Sequence, residues 1–262
     1  AENAAQLSSM RELAAERGVA VVIGYNKNVA EYVRCGLASL RTRSAAGGQL
    51  PRVTLEHCNE FSPGAELVDF MRGPGGEGML HNMCCHELAL AVSVFGVTSA
   101  AVSRVTVDRE ASELIDLGEG KSDFAKVSFS IDLSTPSAER PGGISVSSLH
   151  LSADRCGGNF SKFMIGPSGD PEESFSLPDE ERKVWIKKAQ IEDPEIRPYF
   201  LQQAPDYALL KQTFVKHILA GKDGTPPGVV GLQDAEEALR LADMLVPSLK
   251  HCWATNNPWT PP

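Results

Sequence analysis

Arg17-Gly-Val-Ala-Val-Val-Ile-Gly-Tyr-Asn-Lys-Asn28 is the stretch on which the fold turns. Residues 19–25 form a continuous apolar run rich in Val and Ile, the pattern of a strand covered on both faces in a parallel sheet. Immediately before it, Ala5, Leu7, Met10, Leu13 and Ala14 recur at helical spacing, and Gly18 stands where a left-handed cap closes a helix. A helix running at once into a buried strand is half of a βαβ unit, and the other strands of such a sheet are absent from this chain. Residues 1–26 are therefore expected to be the remnant of an α/β domain, cut within it.

Further along, Asn28 can cap a helix over residues 29–43, residues 52–58 alternate weakly as a strand, and residues 62–72 follow as a helix with Pro63 in its first turn. Residues 79–95 read as one helix stopped by Gly96. Then the character changes. Residues 101–108, 124–133, 144–152 and 160–165 alternate apolar with polar, as half-exposed antiparallel strands do, with Pro and Gly turns at 136–143 and 167–171. Residues 183–188 are predicted to add an edge strand, helices return at 205–219 and 233–245, and the Pro-rich tail is expected to be loose. The predicted fold class is α+β: a second domain, residues 27–262, built on a mostly antiparallel open-faced sheet with helices on one side.

The balance of 34 Asp and Glu against 25 Lys and Arg, formal net charge −9, argues against nucleic acid, which needs clustered cations. No apolar run approaches the roughly 20 residues needed to cross a bilayer. Six cysteines without a CxxC pair read as reduced thiols, so the expected location is cytoplasm or an organelle matrix rather than the exterior.

Chemistry concentrates in Gly78-Met-Leu-His-Asn-Met-Cys-Cys-His-Glu-Leu-Ala-Leu90. On one continuous helix Asn82, His86, Ala89 and Ser93 share a face, while Leu80, Cys84, Leu88, Ala91 and Phe95 form a separate apolar stripe. His86 is the candidate acid/base group and Asn82 its neighbour. His81 and Cys85 have the i, i+4 spacing of two metal ligands, but no second pair follows, and no metal is expected. Lys27 and Asn28, at the carboxyl end of the first strand, are candidate substrate contacts, because ligands of open α/β sheets collect there. Asn28 can instead be only a helix cap and Lys27 only solvated.

This segment resembles the Gly-x-Leu-x-Asp-x-Gly-x-His-x-x-Asp helix of the glucose-fructose oxidoreductase and inositol dehydrogenase family (Gfo/Idh/MocA). Residues 4–28 look like the end of that family's Rossmann domain, and residues 212–221 with Asp234-Ala-Glu-Glu-Ala238 look like its C-terminal helices. The resemblance implies an NAD(P)-dependent oxidoreductase of sugars or polyols, with His86 and position 82 lining the substrate site beside the nicotinamide. It implies that the cofactor, NAD or NADP, is bound mainly by a preceding part that carries the glycine fingerprint and a Glu-Lys-Pro motif. It further implies a homo-oligomer formed through the open sheet face. The chain alone is expected to be inactive.

The departures define the rival reading. Asn82 stands where the family has Asp, Cys84 where it has Gly and Ala89 where it has the second Asp, leaving only His86. Asn cannot act as a base, so the alternative is a binding or scaffolding protein that kept the fold and lost the acid/base pair. Gly73-Pro-Gly75-Gly76-Glu-Gly78 satisfies GxGxxG, yet Pro74 removes an N–H that a phosphate cradle needs and no buried strand leads into it. It is read as a loop before the His86 helix, and the resemblance implies that this loop lies near the substrate, where it can act as a lid.

Overall fold

The computed structural model describes residues 3–45, 52–73, 78–134, 144, 146, 148–166, 173–176, 179–192, 194 and 198–261. The chain runs α1 (Ala4–Arg17), β1 (Val22–Ile23), a 3-10 turn (Asn26–Val29), α2 (Glu31–Ala45), β2 (Arg52–Cys58), α3 (Ala65–Arg72), a π turn (Met79–Met83) and α4 (Cys85–Ser93). After a 3-10 turn (Ser99–Ala101) come β3 (Val102–Val107), β4 (Glu113–Gly118), β5 (Lys121–Leu133), β6 (Ser148–Asp154), β7 (Phe160–Gly166) and β8 (Glu173–Ser176). The chain then passes through α5 (Asp179–Glu192), α6 (Pro198–Leu219), β9 (Val230–Gly231) and α7 (Leu232–Thr255).

The architecture is α+β, with an open seven-stranded sheet ordered β3-β5-β6-β2-β7-β8, and β4 continues along the same edge of β5 as β3, pairing residues 121–126 where β3 pairs 129–133. β2 lies parallel to β6; every other pairing in this sheet is antiparallel. Register follows the period-2 alternation. Leu55 sits opposite Leu151 and Phe163, and Leu151 opposite Phe129, all buried on one face, with α2, α4 and α7 in contact with the sheet. Thr54, Ser130, His150 and Met164 fall on the alternate positions and are half-buried. A slip of one residue would exchange the two sets, so burial fixes the register. Helix α2 reaches the sheet because of a missing side chain: a Cβ on Gly36 would lie 2.4 Å from Cδ1 of Phe163. Overpacking of that kind costs about 1–3 kcal/mol.

Helix α1 forms as its sequence predicts. Asn3 Oδ1 accepts from the Gln6 N–H at 2.9 Å, and Gly18, at φ 61°, closes the far end. β1 corrects the expectation of a parallel strand covered on both faces. Its two residues pair antiparallel with β9, Val22 opposite Gly231 and Ile23 opposite Val230, and Val19 is 57% exposed. Tyr25 N–H bonds back to Ile23 O, and Asn26 N–H to Gly24 O around Tyr25 at φ −80°, ψ 78°, an inverse γ-turn, so the strand ends after Ile23.

Four further expectations are corrected. The single helix over residues 79–95 is interrupted: Cys84 N–H reaches Met79 O, a π turn, and Cys84 at φ −82°, ψ 1° separates it from α4. Residues 183–188, expected as an edge strand, are helical within α5, because they lie in a run of Glu, Lys, Arg, Ala and Gln that favours helix. Helix α6 starts at Pro198, with Pro205 inside it, and α7 continues to Thr255. The tail is pinned, since Trp259 exchanges both backbone hydrogen bonds with Val105 and covers the free edge of β3. The turns expected at 136–143 and 167–171 lie outside the described residues. No helix among the described residues is long and apolar enough to cross a membrane.

Candidate functional site

The site gathers where β1 ends. The four residues of the 3-10 turn, Asn26, Lys27, Asn28 and Val29, are all buried, an unusual position for three polar side chains in succession. Asn28 Nδ2 donates to Ser93 Oγ at 2.7 Å, and Ser93 Oγ donates to Ala89 O, so Asn28 ties the turn to α4 rather than capping α2. Lys27 Nζ lies 2.5 Å from Glu87 Oε1, with both side chains almost wholly enclosed. The second carboxylate oxygen of Glu87 lies 3.5 Å from His57 Nδ1 on β2, and His57 also contacts Met83 O and Asn59 Oδ1, each at 3.1 Å. Three elements thus converge on one buried carboxylate.

His86 follows directly from this arrangement. Its ring stands edge-on to Tyr25, centroids 5.5 Å apart at 84°, and its Nδ1 is enclosed without a hydrogen-bond partner. Burial and then the Lys27 charge push its pKa down to about 3, with Glu87 opposing them, so the imidazole is neutral across the physiological range. Burial alone would raise the Glu87 carboxyl, but Lys27 and His57 outweigh it and hold the group well below the ordinary carboxylate range. Burial raises the Tyr25 hydroxyl above its usual value and, with Glu87 adding to it, lifts the Cys85 thiol to about 12. Cys85 is therefore a protonated packing residue whose Sγ donates to Asn82 O.

No family model matches the sequence, and no curated protein matches it. Solved structures do. Scyllo-inositol dehydrogenase from Lactobacillus casei, with bound NAD(H) and scyllo-inositol, aligns over 98% of this chain and 70% of its own, with a TM-score of 0.61 at 12% identity. A myo-inositol dehydrogenase from Corynebacterium glutamicum aligns over 90% of this chain and 63% of its own (TM-score 0.54, 17% identity). The UDP-N-acetylglucosamine 3-dehydrogenase of Acidithiobacillus ferrooxidans aligns over 95% and 67% (TM-score 0.54, 12% identity). The chain has the fold of these dehydrogenases.

On that fold the candidate residues occupy unequal places. His86, Lys27 and Asn28 come together at the tip of β1. Asn82 lies half-buried in the π turn, and the shared helical face expected for it and His86 rested on an unbroken α-helix that is not there. Ala89 is fully buried against Leu7 and Val230. His81 turns away to Asp243, Nε2 to Oδ1 2.9 Å.

Several site residues escaped sequence reasoning. Glu87 carries no motif of its own, and its signal is only adjacency to His86. His57 looks like one more polar position on an alternating strand. On α6, Asp206, raised to about 6 by burial, couples to Arg34, Glu31 and Lys27. Tyr207 Cε1 lies 3.5 Å from where a Cβ on Gly24 would stand, which brings it against the end of β1. Of the glycine-rich segment, residues 74–77 lie outside the described residues; helix α3, not a strand, leads into it, and a π turn follows Gly78. A cleft of about 850 Å³ between α1, α6 and β9 is lined by Arg11, Val21, Phe214 and Asp234 among others, but by neither His86 nor Lys27.

Proposed function

We propose that this chain is the substrate-binding part of an NAD(P)-dependent oxidoreductase acting on a hydroxyl or carbonyl of a sugar, polyol or related small molecule. The observation that carries the reading is the His86 imidazole: neutral, beside the end of β1, with Nδ1 walled in. Leaving a buried polar atom unpaired costs about 1–3 kcal/mol, and such a group in a fold invites a functional explanation. With Nδ1 enclosed, Nε2 is the nitrogen left to meet a ligand.

The chemistry asked of the chain is small and specific. A substrate hydroxyl donates a hydrogen bond to the imidazole. As the C–H electron pair departs from the same carbon as hydride, the hydroxyl turns strongly acidic and its proton passes to His86, leaving a carbonyl. A neutral imidazole of low proton affinity suffices as acceptor at that moment, and it returns the proton readily in the reverse direction. Nicotinamide, when bound, supplies the hydride acceptor. The described residues do not form a dinucleotide cradle: β1 has two residues, pairs antiparallel, and leads into a 3-10 turn rather than a helix whose N–H groups could hold phosphate. Residues 1–26 are proposed to belong with the nucleotide-binding half and residues 27–262 with the substrate half. The open sheet face is proposed to pack against a second copy, as its half-buried serines and His150 suit a contact surface better than bulk water.

Turnover of a sugar and polyol panel with NAD or NADP, by the chain complemented with a nucleotide-binding segment, tests the reading. Replacing His86 by Ala is expected to lower kcat by roughly 10²-fold with little change in KM. An unchanged kcat removes His86 from the mechanism, and no turnover with any member of the panel favours a scaffolding role.

A further inference from the structure

Residue 82 is an asparagine in the π turn, off the helix that carries His86, and cannot carry charge. A carboxylate lies buried next along the chain from His86. Glu87 is 3% exposed, bonded to Lys27 Nζ at 2.5 Å through one oxygen and 3.5 Å from His57 Nδ1 through the other. Enclosing an ion pair is costly, and an apolar pair of equal volume holds a fold at least as well, so stability does not explain why Lys27 and Glu87 are charged. Their placement does. Glu87 follows His86 on the first turn of α4, and Lys27 stands two residues from Tyr25, whose ring packs on the imidazole.

We propose that Glu87, fixed by Lys27 and His57, is the carboxylate of this site: a positioning residue whose negative charge opposes that of Lys27 beside His86. This rests on the reading of His86 as the proton carrier. The charged and titratable groups that bear on the imidazole come from each element packed around it. They are Cys85 and Glu87 on α4, Tyr25 and Lys27 at the end of β1, and His57 on β2, with Asp206 and Tyr207 of α6 acting on Lys27 and Cys85. Lys27 disfavours a proton on His86 and Glu87 favours one, and the lysine is the stronger influence. With burial the largest cause of the neutral ring and Lys27 the next, the site keeps a carboxylate beside an imidazole that holds no proton at rest.

Opposite displacements in two variants test this, with nitrogen NMR of the His86 side chain during a pH titration of the 262-residue chain. Lys27→Met is expected to raise the His86 midpoint by about one pH unit or more, and Glu87→Gln to leave it at or below the wild-type value. Lys27→Arg should restore the wild-type titration, which a role confined to packing would not require. Either single substitution leaves a buried charge alone and can prevent folding. The double variant Lys27→Met/Glu87→Gln leaves none, and its His86 midpoint is expected between those of wild type and Lys27→Met. A midpoint that stays within about 0.3 unit of wild type in Lys27→Met overturns the assignment, as does a midpoint above wild type in Glu87→Gln or, where the single variants do not fold, one below wild type in the double variant. So does a wild-type His86 that titrates like a solvent-exposed histidine. The titration needs no substrate, so its result stands apart from turnover: a shifted midpoint with unchanged kcat in His86→Ala refutes the proton-carrier role and leaves the electrostatic one intact.

Discussion

Two histidines in this molecule face a cation, and their surroundings are opposite. His86 sits at the end of β1 beside a lysine whose charge is matched by a buried glutamate, against an aromatic ring and the apolar stripe of α4. His150 sits on the open face of the sheet, where Arg52 Nη2 reaches both His150 Nδ1 and Ser130 Oγ at 2.8 Å and Ser128 Oγ lies 3.0 Å from Nε2. Both rings are driven toward the neutral form, first by burial and then by the cation, His86 to about 3 and His150 to about 4. The difference lies in what else is satisfied. On the sheet face every nitrogen of His150 has a hydroxyl or guanidinium beside it. In the site, Nδ1 of His86 has nothing and a paired carboxylate stands next along the helix. A saturated polar network rigidifies a surface; an unsaturated one is a place where a ligand changes the energy.

Removing each cation in turn should break the comparison most sharply. Lys27→Met leaves Glu87 buried without its partner and is expected to cost about 3–5 kcal/mol in urea unfolding. A loss under about 1 kcal/mol would mean that Glu87 is solvated or takes up a proton at little cost, and the site would then be no more enclosed than the sheet face.

Acid should act on both regions, through the same sign. A histidine whose folded proton affinity lies below its unfolded value makes the unfolded chain bind more protons between the two. Stability is therefore complete above about 6.5, the unfolded value, and declines as pH falls toward the folded ones. Between pH 7 and pH 5, His86 and His150 are each expected to remove about 2 kcal/mol, and His57, also lowered by burial, works in the same direction. Substituting His150 by Gln should flatten the pH dependence by its own share alone. A variant that abolishes the whole dependence would show that the two regions titrate as one unit.

How far the sequence carries this contrast depends on which residues declare themselves at short range. Alternation marked β2, β3, β5, β6 and β7 because burial on one face forces period 2, and the helix caps at Asn3 and Gly18 are local chemistry. β4, β8 and β9 went unpredicted, the first because Glu119, Gly118 and Gly120 all take positive φ in a tight turn that lets two strands follow with almost no loop. Residues 19–25 misled because an apolar run states only that a segment is buried, not which strand pairs with it, and here the partner is β9, more than 200 residues away. The site divides the same way. His86 announced itself by resemblance, but Glu87, His57 and Asn59 became a cluster only when the π turn and the β2 register brought them together. No spacing between positions 27, 57 and 87 encodes that meeting.

The smallest effect should come from the open face and is the one that sharpens the contrast. Arg52→Met removes the cation but leaves Ser128 and Ser130 on the ring, and the half-exposed guanidinium loses little by its absence, so stability is expected to change by less than about 1 kcal/mol. The His150 titration midpoint should nevertheless rise by roughly one pH unit, followed by proton NMR of the ring, because Arg52 is its principal neighbouring charge. A large loss of stability with an unmoved midpoint would reverse the argument: Arg52 would then act by packing. A matching midpoint shift on the sheet face without the stability cost seen at Lys27 would instead show that it is the buried carboxylate, not the neutral histidine, that sets the site apart.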